Sequence, residues 1–249
     1  MKKYLFTVLL FAVSVGASAQ MLSVVPRVGA TVSTMSIVSH DPFPIPIFNS
    51  QNEVKSKIGF TLGAAINYTV SGMISIQPEL NFIQKGYQEK SSSTDIVDFD
   101  GIIIETQNIA NTTQTINYLE MPVLAKFQFG KSPQFFALIG PSIGIGLGGK
   151  FKSEEQTTEN FNGDISTYSN STKGKIKFGK TPEGYEGNDW YIDNRTDFGL
   201  QVGGGVLINY KIMIEARYGL GLSNLYDDSN YQAKNRVFQI TIGMPLILK

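Results

Sequence analysis

The chain has 249 residues, with 21 basic and 21 acidic side chains, one histidine and no cysteine. That balance gives no electrostatic footprint for nucleic acid, and the missing cysteine excludes disulfides and a lipid-modified cysteine. Mean hydropathy is -0.04, too low for a bundle of membrane helices but not for a barrel, where half of each strand faces inward.

The N-terminus reads as an export signal. Lys2 and Lys3 form a positive region, and Leu5 to Val15 is apolar but too short for a stable anchor. Ala17-Ser18-Ala19 supplies the small-x-small cleavage pattern. Residues 1–19 are therefore expected to be a cleaved signal peptide, and 20–249 one exported domain. No later stretch is long and apolar enough for a transmembrane helix.

Period-2 alternation marks eight segments in chain order: Leu22–Ser33, Lys57–Val70, Met73–Lys85, Thr115–Phe129, Gln134–Gly148, Arg195–Asn209, Lys211–Ser223 and Arg236–Leu248. Each exceeds the roughly 5 or 6 residues of an ordinary strand and covers the roughly 9–11 that a tilted membrane strand needs. Tight turns are expected at Val70-Ser71-Gly72, at Gly130-Lys131-Ser132 and around Tyr210. Long polar loops are expected at Thr34–Ser56, Gly86–Gln114, Gly149–Asn194 and Asn224–Asn235. Up-and-down threading puts every short turn at one end and every long loop at the other. The expected fold is all-β: an eight-stranded antiparallel up-and-down transmembrane β-barrel with short periplasmic turns and long extracellular loops.

One face of each segment is apolar and free of charge, as in Ile58, Phe60, Leu62, Ala64, Ile66 and Tyr68. The opposite face is polar and rich in glycine, including Gly59, Gly63, Gly140, Gly144, Gly146, Gly199, Gly203 and Gly205. Glycine weakens an open wet sheet but suits the crowded interior of a small barrel. Aromatics gather near the strand ends: Tyr68, Phe127, Phe129, Phe135 and Tyr210 by the short turns, and Phe60, Phe82, Phe198 and Phe238 by the long loops. Two such bands match interfacial girdles. Pro26, Pro78, Pro122, Pro141 and Pro245 fall inside the segments, and local bulges are expected at some of them.

Two motifs carry a family likeness. Ile76-Gln77-Pro78-Glu79-Leu80-Asn81-Phe82 with Lys85-Gly86 resembles the third-strand signature of PorT-like outer-membrane β-barrel proteins of Bacteroidota. Tyr118-Leu119-Glu120-Met121-Pro122-Val123-Leu124 with Lys126 resembles that family's fourth strand. The resemblance implies a location in the cell outer membrane and contact with its lipid. It implies no particular activity, and the namesake's link to a secretion system does not carry over.

The polar faces place Arg27, Glu79, Glu120, Lys126, Glu215 and Arg217 in the lumen. Isolated charges there would be costly, so they are expected to pair across it. The paired state reads as a plug, because an interior of eight strands is just wide enough for side chains to fill. A polar track for small solutes, a narrow porin-like channel, is the alternative.

The remaining signals are weaker. Gly144-Ile145-Gly146-Leu147-Gly148-Gly149-Lys150 superficially resembles a phosphate loop, but Phe151 stands where Ser or Thr is required and no helix follows. It reads as a strand end, and no cofactor is expected. His40-Asp41-Pro42 lacks a nucleophile signature, so a lipid-modifying enzyme is a poor reading. Asp95, Asp98 and Asp100, and Glu154, Glu155 and Glu159, miss calcium-loop spacing and read as solvated charge. The expectation is a non-enzymatic barrel whose loops meet a surface or periplasmic protein partner.

Overall fold

A computed structural model describes residues 22–39, 51–99, 102–228 and 230–247. The segment read above as a signal peptide, His40 and Asp100-Gly101 lie outside them. The strands are β1 (Leu22–Ser39), β2 (Gln51–Ser71), β3 (Ile74–Phe99), β4 (Ile102–Phe129), β5 (Gln134–Phe161), β6 (Asp164–Phe178), β7 (Trp190–Ile192), β8 (Thr196–Ile208), β9 (Ile212–Gly221), β10 (Tyr231–Gly243) and β11 (Leu246–Ile247).

Eight strands close a ring. β1 to β5 pair antiparallel in succession. β5 then pairs with β8, β8 with β9, β9 with β10, and β10 with β1. Closure satisfies the backbone donors and acceptors between neighbours, the condition for strands in hydrocarbon. The tight turns gather at one end. At Asn209 and Tyr210 φ is 50 and 56, and Lys211 N–H donates to Ile208 O at 3.0 Å, the backbone of a two-residue hairpin.

Alternation sorts the ring into two faces. Leu62, Leu80, Val123, Ile139, Val202, Ile214 and Ile240 point outward and are exposed. Their register partners on neighbouring strands are also apolar, so the wall is a continuous apolar belt. Gly140 shows why the inner face needs glycine: a Cβ there would lie 2.1 Å from Val123 O of the adjacent strand.

The main departure from the sequence reading lies beyond the ring. Gly86–Gln114 and most of Gly149–Asn194, read above as loops, are largely strand. β3, β4 and β5 run unbroken for 26, 28 and 28 residues. β6 folds back on β5 through Asn162-Gly163, with φ of 50 and 98. The far halves of β3, β4, β5 and β6 form a sheet raised about 40 Å along the strands above the ring, at about 3.3 Å per residue, and Gln51 to Ser56 of β2 join its lower part against β3. Both faces of this sheet are largely polar, so there is no hydrophobic alternation to read. The usable signals were Asn162-Gly163 and Asp100-Gly101, the strongest short-range hairpin dipeptides. The two other loops also shorten, because β1 runs to Ser39, β2 starts at Gln51 and β10 starts at Tyr231. Gly144–Lys150 is correspondingly the middle of β5 and not a strand end.

The prolines behave differently from the expectation. The register is unchanged across Pro26, Pro78, Pro122 and Pro141. Its shifts fall instead between Ser56 and Thr61, Thr69 and Ser71, and Asn117 and Tyr118. A proline removes one ladder donor but adds no residue, so it costs a bond without moving the frame. Pro245 separates β10 from β11, and β11 stays in the same register against β1.

Candidate functional site: the closed lumen

The inward side chains stack in three layers. At the short-turn end, Val25, Ala65, Leu124, Phe136, Leu138 and Met213 form a buried apolar floor, with Leu207 packed against it. At the other end, Met35, Ile83, Tyr87, Ile116, Tyr118, Phe151, Ile176, Ile192, Leu225, Ala233 and Val237 form a larger apolar cap. Charged and amide side chains fill the space between.

The middle layer holds two ion clusters. In the lower one, Arg27 pairs with Glu79, and its Nη1 lies 3.3 Å from Glu215 Oε1. Arg217 Nη1 and Nη2 donate to the two Glu79 oxygens at 2.8 and 3.0 Å, and Arg217 also pairs with Glu215. Gln77 and Asn81 donate to the Glu79 oxygens at 2.7 and 3.0 Å. Glu79, from β3, thus accepts from β1, β9 and its own strand. In the upper cluster, Lys85 Nζ lies 2.7 Å from Glu120 Oε1 and 3.0 Å from Asp197 Oδ2. Gln201 joins the clusters: its oxygen accepts from Arg217 Nη1 at 2.8 Å, and its Nε2 donates to Glu120 Oε2 at 2.8 Å. Asn235 donates to Asp197 Oδ2 at 2.9 Å.

Arg27, Glu79, Glu215 and Arg217 therefore come together in one cluster and Glu120 in the other. Lys126 does not join them. Among the described residues it has no carboxylate within ion-pair distance; its Nζ lies 4.1 Å from the centroid of the Phe136 ring and 3.8 Å from Met213 Sδ. Lys126 sits at floor level, below Glu215, which is why alternation put it inside but could not say what it meets. Two members were missing from the sequence-derived set, Lys85 and Asp197. Both stand at predicted strand ends, where the period-2 pattern stops, and both were legible as polar-face residues of their segments. With them the lumen holds four cations and four anions, all buried.

Beside Lys85, Glu120, Asp197, Gln201 and Asn235 lies a cavity of about 10 Å³. That is the size of one water molecule, far below what a solute needs.

The cap depends on an excursion of the chain. β5 pairs with β8 up to Ile145 and with β6 from Gly149 onward. The base of β6 thereby comes over the top of β8, bringing Ile176 and Phe178 to the barrel mouth, and β7 runs parallel to it with Ile192. The Phe178 ring rests on Gly146, where a Cβ would lie 2.1 Å from its Cζ. It meets Tyr118 edge-on at 6.0 Å. Trp190 packs edge-on against Phe151 at 5.8 Å and donates to Tyr226 Oη at 2.9 Å.

The aromatics assigned to girdles lie on the outer wall. Phe129 and Phe135 stack at 6.0 Å by the short turns, and Phe60 and Phe82 meet at 5.6 Å at the other boundary. Phe127, Phe198, Tyr210 and Phe238 are exposed, and Tyr68 is half-buried. The acidic loop residues do not converge: among the described residues no three metal-type ligands gather. Glu154 pairs with Lys152 on the face of the raised sheet opposite Glu155 and Glu159.

A family model described as outer membrane protein beta-barrel domain matches residues 17–227. No curated protein sequence matches the chain. Among solved structures, Ail, the attachment invasion locus protein of Yersinia pestis, is 12% identical with a TM-score of 0.38, covering 92% of this chain and 100% of Ail. OprG of Pseudomonas aeruginosa is 8% identical with a TM-score of 0.34, covering 91% and 96%. The outer membrane protease OmpT of Escherichia coli is 10% identical with a TM-score of 0.33, covering 93% and 98%. The closed eight-stranded ring, its apolar outer belt and the family match over most of the chain make this protein a member of the outer-membrane β-barrel domain family.

Proposed function

We propose that this protein is a non-conducting, non-enzymatic outer-membrane barrel whose working part is the raised sheet. One observation carries the reading: the lumen is closed at two levels by apolar side chains, with a layer of buried ion pairs between them. A permeant ion would have to displace the floor and the cap and break buried pairs, each step costly. The raised sheet is the largest part of the molecule outside the belt. The convention of short periplasmic turns puts it on the cell exterior, where it meets protein partners. The finer assignment to PorT-like proteins rests on Ile76–Phe82 and Tyr118–Leu124 and fits the same reading. Export is attributed to a signal peptide over residues 1–19.

Planar-bilayer recording of the purified barrel is the test. The expected trace is flat. Steady unitary conductance would overturn the plug and favour a narrow channel.

A further inference from the structure

β6 is the last strand of the raised sheet. Asp164 to Ile176 pair with β5 on one side. On the other side β7 covers only Ile176 to Phe178. Among the described residues no strand pairs with that side from Asp164 to Gly174. The hairpin fixes which backbone groups are free. In an antiparallel pair hydrogen-bonded and non-hydrogen-bonded positions alternate. Asp164 closes a two-residue hairpin with Phe161, so alternate residues from Ile165 onward point their N–H and C=O away from β5. The same phase shows at the base, where Lys175 N–H points outward and donates to Asp189 Oδ1 at 3.0 Å. Ile165, Thr167, Ser169, Ser171 and Lys173 thus offer a row of unpaired backbone groups to the exterior.

Natural edges are usually blunted by proline, bulges, inward charges or a covering segment. This one has no proline from 164 to 175 and no register shift against β5, and its two lysines, Lys173 and Lys175, lie only at its lower end. Its far end is also apolar. Ile165 and Tyr168 are 69% and 60% exposed, next to Phe161 at 52%. Val97, Ile104 and Phe161 are cross-strand neighbours in three successive strands. At the base Lys173 and Lys175 are exposed cations.

We propose that the β6 edge takes up an extended segment of another protein as an added strand. This rests on the reading that the raised sheet is the working part. The segment is apolar where it meets Ile165 and Tyr168 and acidic where it passes Lys173 and Lys175. Main-chain bonds supply the affinity and these end contacts the register. A second copy in the same membrane does not fit. Two upright barrels related by a two-fold along the membrane normal would present parallel β6 edges with equivalent donors facing each other.

The test uses the full barrel in detergent and two synthetic nine-residue strand peptides of alternating Val and Thr. One carries a Glu pair at its amino end, the other at its carboxyl end, to cover antiparallel and parallel addition. Amide hydrogen exchange should slow at Ile165, Thr167, Ser169, Ser171 and Lys173, and not at the β5-facing amides. Ser169→Pro removes an outward N–H without breaking a bond to β5, and should weaken peptide binding at least tenfold. Ser169→Ala, which keeps the N–H, should bind normally. If Ser169→Pro fails to fold, the exchange pattern of the wild-type barrel decides alone. Absence of protection at saturating peptide, or equal binding by folded Ser169→Pro, overturns the proposal. So does binding of the tip to phosphatidylcholine vesicles in place of peptide, or dimerisation that Ser169→Pro abolishes. Conductance on the same preparation separates the two readings, since a conducting barrel that still binds peptide refutes only the plug.

Discussion

The ring and the raised sheet are made from the same strands under different rules. Within the ring, one face of β3 meets hydrocarbon and the other a crowded lumen. Moving the register by one residue would put Glu79 in lipid and Leu80 among the lumen charges, so the register there is held by burial. Along Ser91 to Asp95 of the same strand, both faces are polar and half-buried. Nothing is lost there when a side chain changes face, and the register depends on turns and ladder bonds alone. Continuity with the ring is what keeps the upper half ordered. The lesson is that one strand can be over-determined at one end and dependent at the other.

The contrast can be broken at its strongest point first. Glu79→Ala leaves Arg27 and Arg217 crowded on Glu215 as their one remaining shared carboxylate, and should cost about 3–5 kcal/mol, read as a lower urea midpoint in micelles. Thr158→Ala on the raised sheet should stay within about 0.5 kcal/mol. Equal effects would mean that the two regions do not differ in the way described.

Gly146→Val tests the seam between them. The new side chain would occupy the seat of Phe178, with a cost of about 1–3 kcal/mol from overpacking. The only tryptophan, Trp190, packs edge-on against Phe151 of the cap, so its emission should shift as the cap is displaced while the belt remains folded. An unchanged emission would show that Phe178 does not anchor the excursion.

Gly163→Ala is smaller and local. Gly163 has φ 98, a conformation that alanine adopts at a cost of about 1 kcal/mol. Amide exchange should quicken in β6 and the upper half of β5, and remain unchanged in the ring. Spread of the effect into the ring would argue that the raised sheet supports the barrel and not the reverse.

The smallest effect concerns acid. Asp189 accepts from Lys177 at 2.6 Å and from Lys175 N–H, and its carboxyl pKa is lowered to about 2, chiefly by the Lys177 hydrogen bond. A depressed pKa means that the pair steadies the β6–β7 junction above the ordinary value of 3.8 and loses that contribution as pH falls through about 2. Trp190 emission should therefore change below pH 4, and Asp189→Asn should remove that transition. An identical acid titration in the variant would assign the change to another group.

The sequence by itself determined the ring. The eight alternating segments, the charge-free outer face and the glycine-rich inner face each follow from a barrier that side chains must respect, and that barrier is periodic. It also placed Arg27, Glu79, Glu120, Lys126, Glu215 and Arg217 on the inner face, because facing is a local property of strand position. Three things were decided only by the tertiary structure. Which carboxylate meets which cation depends on stagger across the ring, so Lys126 stands by Phe136 while Lys85 and Asp197 join Glu120. The apolar floor and cap assemble side chains from distant segments, including β6 and β7, which no single window contains. The raised sheet is strand because its neighbours are strand: with both faces polar its pattern carries no period, and pairing across the sheet supplies what the local sequence does not.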